Sequence, residues 1–201
     1  MIAPELRPAV RRRRSSGRRR RAASGALLPL LTPLLAASTA LAQTEAPVTD
    51  GTTRFPNVTG RSLTGRTCHF PGDFEGERNI VLVAFKRHQQ EDVDTWTPHL
   101  RPLAAQDPRL RVYELPTLGR RYLLMRPIID GGMRGGIPDS AVRATTITLY
   151  INKRPFREAL ALPDEDRIYV LVVDRAGAVL WRASGPWSAD AEVELEKTLA
   201  R

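Results

Sequence analysis

Cysteine is nearly absent: the 201 residues hold one, Cys68. A single thiol excludes an internal disulfide, and it leaves no second cysteine to resolve a sulfenic acid within the chain. Haem attachment through C-x-x-C-H is excluded too, because Gly65 stands where the first cysteine would be, ahead of Cys68 and His69. Histidine is sparse too, with three residues. His69, His88 and His99, even with Met125 and Met133 as soft co-ligands for copper, show no H-x-x-H spacing that would make them converge, so neither metal nor other cofactor is expected. A spanning helix needs about 20 apolar residues. The apolar run from Ala26 to Leu35 is short for that and is broken by Pro29 and Pro33.

Acidic residues are missing from the front of the chain, and this locates the charge. The formal net charge is +9, but residues 1 to 42 carry nine arginines against one acid, Glu5, leaving 22 basic and 21 acidic residues for the remainder. The basic character belongs to the leader, so a nucleic-acid partner is not expected of the domain behind it. An arginine-rich start, a short apolar run and the small-residue ending Ala40-Leu41-Ala42 have the order of an export signal. The expected organisation is a signal peptide over 1–42, a flexible polar spacer over 43–54 and one globular domain over 55–201. Cleavage near Ala42 would leave a periplasmic or secreted protein, with membrane contact confined to export.

Within the domain, Phe55 to Phe74 is rich in turn formers and reads as a loop with one short strand. Asn79 to Phe85 is a continuous apolar run of strand length, as expected of a strand buried on both faces. Val93, Trp96, Leu100 and Leu103 share one face of a helix over Glu91 to Ala105, which must bend or restart at Pro98. Leu110 to Leu115 is a strand ended by Pro116, and Arg120 to Arg126 fits either a short helix or an extended segment. Asp130 to Asp139 reads as a glycine-rich loop, lacking the G-x-G-x-x-G spacing of a nucleotide site. Asp130, Arg134 and Asp139 make it a charged loop expected to pair with Arg143 or with a partner. Thr145 to Tyr150 is a strand and Phe156 to Leu162 a short helix. Ile168 to Val173 and Ala178 to Ala183 form a hairpin about Asp174-Arg175-Ala176-Gly177, and Ser188 caps a final helix. Trp96 and Trp181 are expected in the core; Trp187, after Gly185-Pro186, is the candidate for exposure.

The stretch Val81 to Leu100 resembles the active-site segment of thioredoxin-like reductases, in which a buried strand ends in an aromatic, C-x-x-C follows, and a proline stands five residues after the second cysteine. Phe85 and Pro98 occupy those flanking places, which puts Gln90 and Val93 at the cysteine positions. An amide and a valine cannot form a thiolate, so dithiol exchange is unavailable there. The order of elements is likewise that of a thioredoxin-like α/β sandwich with a mixed central sheet flanked by helices. Further along, Arg134, Ile137-Pro138, Arg143, Tyr150, Arg157-Glu158, Tyr169-Val170, Val173-Asp174, Trp181 and Gly185 resemble the pattern of the mitochondrial ATP-synthase assembly-factor family called ATP-ten. An upstream match covers Leu82 to Lys86, Trp96 and Pro98. The resemblance implies a fold and a non-redox, protein-binding way of working.

The segment Lys86-Arg87-His88-Gln89-Gln90 would then stand where α/β proteins place ligands, offering cations and amides to an acidic or backbone group of a protein partner. It is the expected binding site, and no catalytic residue is expected there. The alternative is a one-cysteine thiol peroxidase or oxidoreductase built on Cys68 beside His69.

Overall fold

The computed structural model describes residues 53–201. The expected signal peptide and all but the last two residues of the expected spacer lie outside the described residues. Thr53 and Arg54 are held in place: the Thr53 carbonyl accepts from Val179 N at 2.9 Å, and Arg54 bridges to Ala178.

Seven strands form one mixed sheet in the order β2-β1-β5-β4-β3-β6-β7. They are β1 (Val58–Ser62), β2 (Thr67–Phe70), β3 (Arg78–Ala84), β4 (Leu110–Gly119), β5 (Ile147–Ile151), β6 (Tyr169–Asp174) and β7 (Val179–Ser184). β3, β4 and β5 run parallel; β6 and β7 extend the sheet antiparallel beyond β3, and β1 and β2 extend it antiparallel beyond β5. The helices are α1 (Gln90–Gln106), α2 (Arg126–Gly136), α3 (Ser140–Thr145), α4 (Lys153–Ala159) and α5 (Ala189–Leu199).

Alternation along β3 divides the core. Val81 and Val83 join Phe55, Phe70, Phe74, Tyr113, Leu149 and Phe156 on one face, where the aromatic rings meet edge to face. Ile80 and Leu82 join Val93, Trp96, Leu100, Trp181 and Leu195 on the other, under α1 and α5. Burying each such side chain stabilises the fold by roughly 1.5–3 kcal/mol. Trp96 and Trp181 are 0% and 1% exposed, as expected of core tryptophans. Trp187 is instead half-buried, stacked on His99 with centroids 4.1 Å apart.

Several local expectations are corrected. The segment Phe55 to Phe74 holds two paired strands, β1 and β2. Helix α1 passes through Pro98 and Pro102 without restarting. Both prolines are exposed and one turn apart, so the carbonyls they leave without an N–H donor face water. Strand β4 continues past Pro116 because Ala84↔Pro116 is its last pair with β3, and Thr117 onward pairs with β5. The missing donor falls where the ladder changes partner. A 3-10 turn, Arg120–Met125, follows.

Residues 130–136 of the expected glycine-rich loop belong to the helix α2, and only 137–139 are irregular. Four glycines cost such a helix up to about 1 kcal/mol each relative to alanine, so it is held by its flanks. Pro127 stands in its first turn, Asp130 accepts from Tyr150 Oη at 2.8 Å and Arg126 Nε at 3.3 Å, and Arg134 Nε donates to the Leu63 carbonyl at 2.7 Å. Asp139 caps α3 by accepting from Ala141 N, so neither acid takes Arg143 as its partner. Helix α4 begins at Lys153, capped by Asn152, three residues earlier than the apolar pattern suggests. The hairpin and the Ser188 cap lie as expected. Gly177 turns the hairpin at φ +89°, where a Cβ would lie 2.7 Å from Pro71.

Candidate functional site

The parallel strands β3, β4 and β5 deliver their C-terminal ends to one edge of the sheet. Antiparallel β6 brings its entry loop there, and β7 its exit. This edge is where open α/β sheets place ligands, and it gathers residues 86–90, 120–125, 152–153, 163–168 and 185–187.

Lys86 to Gln90 lie at the end of β3, in a 3-10 turn (Arg87–Gln89) that runs directly into α1. The five expected binding residues separate into two groups. Gln89 is 1% exposed. Its Oε1 accepts from Phe85 N at 2.7 Å and Lys86 N at 3.0 Å, and its Nε2 donates to the Glu165 carbonyl at 2.8 Å. Every polar atom of that side chain is therefore occupied in closing the strand end and tying it to the β6 entry loop. Lys86 is exposed but paired with Asp166 at 2.5 Å, which holds its ammonium above the ordinary lysine range. Arg87, His88 and Gln90 remain exposed. Gln90 Nε2 donates to Asp94 Oδ1 at 2.9 Å, while Arg87 and His88 make no side-chain hydrogen bond among the described residues.

The loop Asp164-Glu165-Asp166 supplies the acids for this edge, and sequence spacing hid its role. Glu165 pairs with Lys153 and, at 3.4 Å, with Arg157. Asp164 accepts from Asp166 N at 2.9 Å and Tyr169 Oη at 3.0 Å. Burial alone would raise the Asp164 carboxyl, but these hydrogen bonds and Arg167 hold it below the usual carboxylate range. Burial pushes the Tyr169 hydroxyl up to about 12, so it stays protonated and donates. The edge is thus closed by its own ion pairs, 80 residues apart in the chain for Lys86 and Asp166. A signal existed in the acidic run 164–166 just ahead of an apolar strand.

Gln90 is the first residue of α1 and exposed; Val93, one turn on, is buried. The position at the helix entrance and the one behind it therefore carry an amide and a packed valine, neither of which supplies a nucleophile. Cys68 lies elsewhere, on β2 at the sheet border with three strands between it and β3. It is 1% exposed, its Sγ 4.0 Å from the Arg66 carbonyl. His69 alternates to the outer face and meets Thr59 Oγ1 at 3.1 Å. His69, His88 and His99 stand on β2, the β3 exit and α1, so the fold does not bring the three together.

No protein-family model matches the sequence, and no curated protein matches it. Solved structures do match in fold. BsSco, a member of the Sco family of cytochrome c oxidase assembly proteins with an identified disulfide switch, superposes at a TM-score of 0.55 with 12% identity, covering 76% of this chain and 96% of its own. A SCO1/SenC family lipoprotein from Bacillus anthracis str. Ames gives a TM-score of 0.52 with 12% identity over 78% and 98% of the two chains. A protein from Chlorobium tepidum assigned as a thiol:disulfide interchange protein DsbE gives 0.50 with 15% identity over 76% and 97%. The chain therefore has a thioredoxin-like fold, distantly similar in structure to Sco and DsbE thiol-disulfide proteins, and with one cysteine it has no C-x-x-C pair.

Proposed function

We propose that the protein is an exported, redox-silent thioredoxin-like domain that binds another protein as an assembly or chaperone-like factor. One observation carries the reading. The entrance of α1 holds Gln90 and Val93 where a dithiol would stand, while the sole thiol is buried in β2. A fold whose reactive positions are filled by an amide and an aliphatic side chain keeps the shape of the edge without its electron chemistry. The resemblance to the ATP-ten assembly factors supports a partner-binding role. Arg87, His88 and Gln90 form the recognising surface, with Gln89 and Lys86 as its internal supports.

Crosslinking of the exported protein in its own cells, compared with the R87A/H88A/Q90A variant, tests this reading. The variant should lose a partner that the parent captures. The parent should neither reduce insulin disulfides nor consume peroxide; a peroxide-dependent activity abolished by C68S would replace the binding reading with a thiol enzyme, and an unchanged partner set would remove the proposed surface.

A further inference from the structure

Five large apolar side chains are exposed among the described residues, and four of them fall within six positions: Leu123 at 49%, Leu124 at 94%, Met125 at 48% and Ile128 at 73%. They occupy the 3-10 turn after β4 and the first turn of α2. A cluster of protruding aliphatic side chains loses free energy in water and marks an interaction face.

The chemistry around it selects the occupant. Over residues 120–136 there are four arginines and one acid. That acid, Asp130, is 7% exposed and held by Tyr150 and Arg126, so it adds no exposed negative charge. Arg120 and Arg121 lead into the apolar cluster and are exposed, with the Arg121 guanidinium 4.9 Å from the ring centre of Tyr122. Leu123 shares the wall of a hollow of about 120 Å³ with Arg61, Arg126, Thr59, Thr67, Thr148 and Tyr150. Aliphatic knobs, an aromatic ring, flanking arginines and a hollow rich in cations and hydroxyls match the boundary between phosphate headgroups and acyl chains. On α2, Ile128, Gly131, Gly132 and Gly135 continue that outer face with nothing within 4 Å of where the glycine Cβ atoms would be. The smooth helix face lets the knobs on its N-terminal side reach furthest.

We infer that residues 120–136 dock this domain on the surface of an anionic phospholipid bilayer, with Leu124 and Ile128 entering the acyl boundary and Arg120 and Arg121 against lipid phosphates. Composition alone confines membrane contact to the leader; this face gives the folded domain a contact of its own. It does not depend on the partner-binding reading, and its test has neither a redox nor a partner readout.

The experiment is hydrogen exchange read by mass spectrometry on the full chain, with vesicles of equal parts phosphatidylglycerol and phosphatidylcholine and, separately, with phosphatidylcholine alone. A site-resolved readout separates this face from the basic leader, which all variants share. Peptides covering 120–136 should gain protection with the anionic vesicles only, and the gain should fall as salt rises. L124D/I128D should abolish that protection. R120S/R121S should weaken it by about fivefold per charge removed, and both variants should melt with the parent because the altered side chains are exposed. Absence of protection over 120–136, or protection that survives both variants, overturns the inference. So does protection that rises with protein concentration without vesicles, which would assign the face to a second copy of the chain.

Discussion

Replacing Gln89 by alanine separates support from recognition at the end of β3. The side chain satisfies two backbone N–H groups, those of Phe85 and Lys86, and one carbonyl, that of Glu165. The bond to Phe85 N is buried, and a buried donor left unpaired costs about 1–3 kcal/mol. The other two are partly buried and open to replacement by water, so each net loss is nearer 0.5–1.5 kcal/mol. Their combination puts Q89A at about 4 kcal/mol of destabilisation, which at roughly 2–4 °C per kcal/mol for a domain of this size lowers Tm by about 8–16 °C. Glutamate in its place keeps an oxygen to accept both N–H groups but sets a carboxylate against the Glu165 carbonyl, so Q89E should recover only part of the loss. Urea denaturation followed by tryptophan fluorescence measures all three proteins. R87A/H88A, acting on exposed side chains, should stay within about 0.5 kcal/mol of the parent. A Q89A protein that unfolds together with the parent would refute the assignment of Gln89 as an internal tie.

Three further outcomes follow from burial or its absence. Cys68 at 1% exposure should react with an aromatic disulfide reagent only as fast as the domain opens, and at once in urea; rapid labelling of the native protein would contradict its placement. G131A and G132A should each stabilise α2 by about 0.5–1 kcal/mol, since no neighbour lies within 4 Å of either new Cβ, and a fall in Tm would show that the face is covered. Glu114, on β4, has its carboxyl pushed above the ordinary range by burial, with Arg101 opposing. A raised folded-state value for an acid means that ionisation weakens the fold. The penalty is absent below the unfolded-state value of about 4.3 and grows as pH rises past it. E114Q should therefore be more stable than the parent at pH 7, with the two converging near pH 3; equal stability at pH 7 would contradict the reading.

The sheet and the α1 face were legible because period and length carry them. Val93, Trp96 and Leu100 announce one helical stripe, and the run Ile80 to Val83 announces a strand buried on both sides. What local pattern misreports is set by tertiary partners. Pro116 looks like a strand end, but the ladder changes partner at that residue. The glycines after Asp130 look like a loop, and α2 forms because Tyr150, Arg126 and Leu63 hold its polar groups, contacts invisible to a propensity argument.

The same logic explains why the site was half legible. In one dimension Lys86 to Gln90 is a cationic, amide-rich loop awaiting an acidic partner; in three, Asp166 and the Glu165 carbonyl have already met Lys86 and Gln89. Five residues of the motif read in the sequence behave alike. Arg134 is spent on the Leu63 carbonyl, Tyr150 on Asp130, Tyr169 on Asp164, Arg157 on the Leu162 and Pro163 carbonyls, and Gly185 on the Trp96 indole. Each holds α2 or the loops around the edge rather than facing outward. Residues used in this way fix the geometry of the edge and leave Arg87, His88 and Gln90 exposed on it. Those five residues speak for the scaffold, and the chemistry that the edge offers has to be read from its exposed side chains.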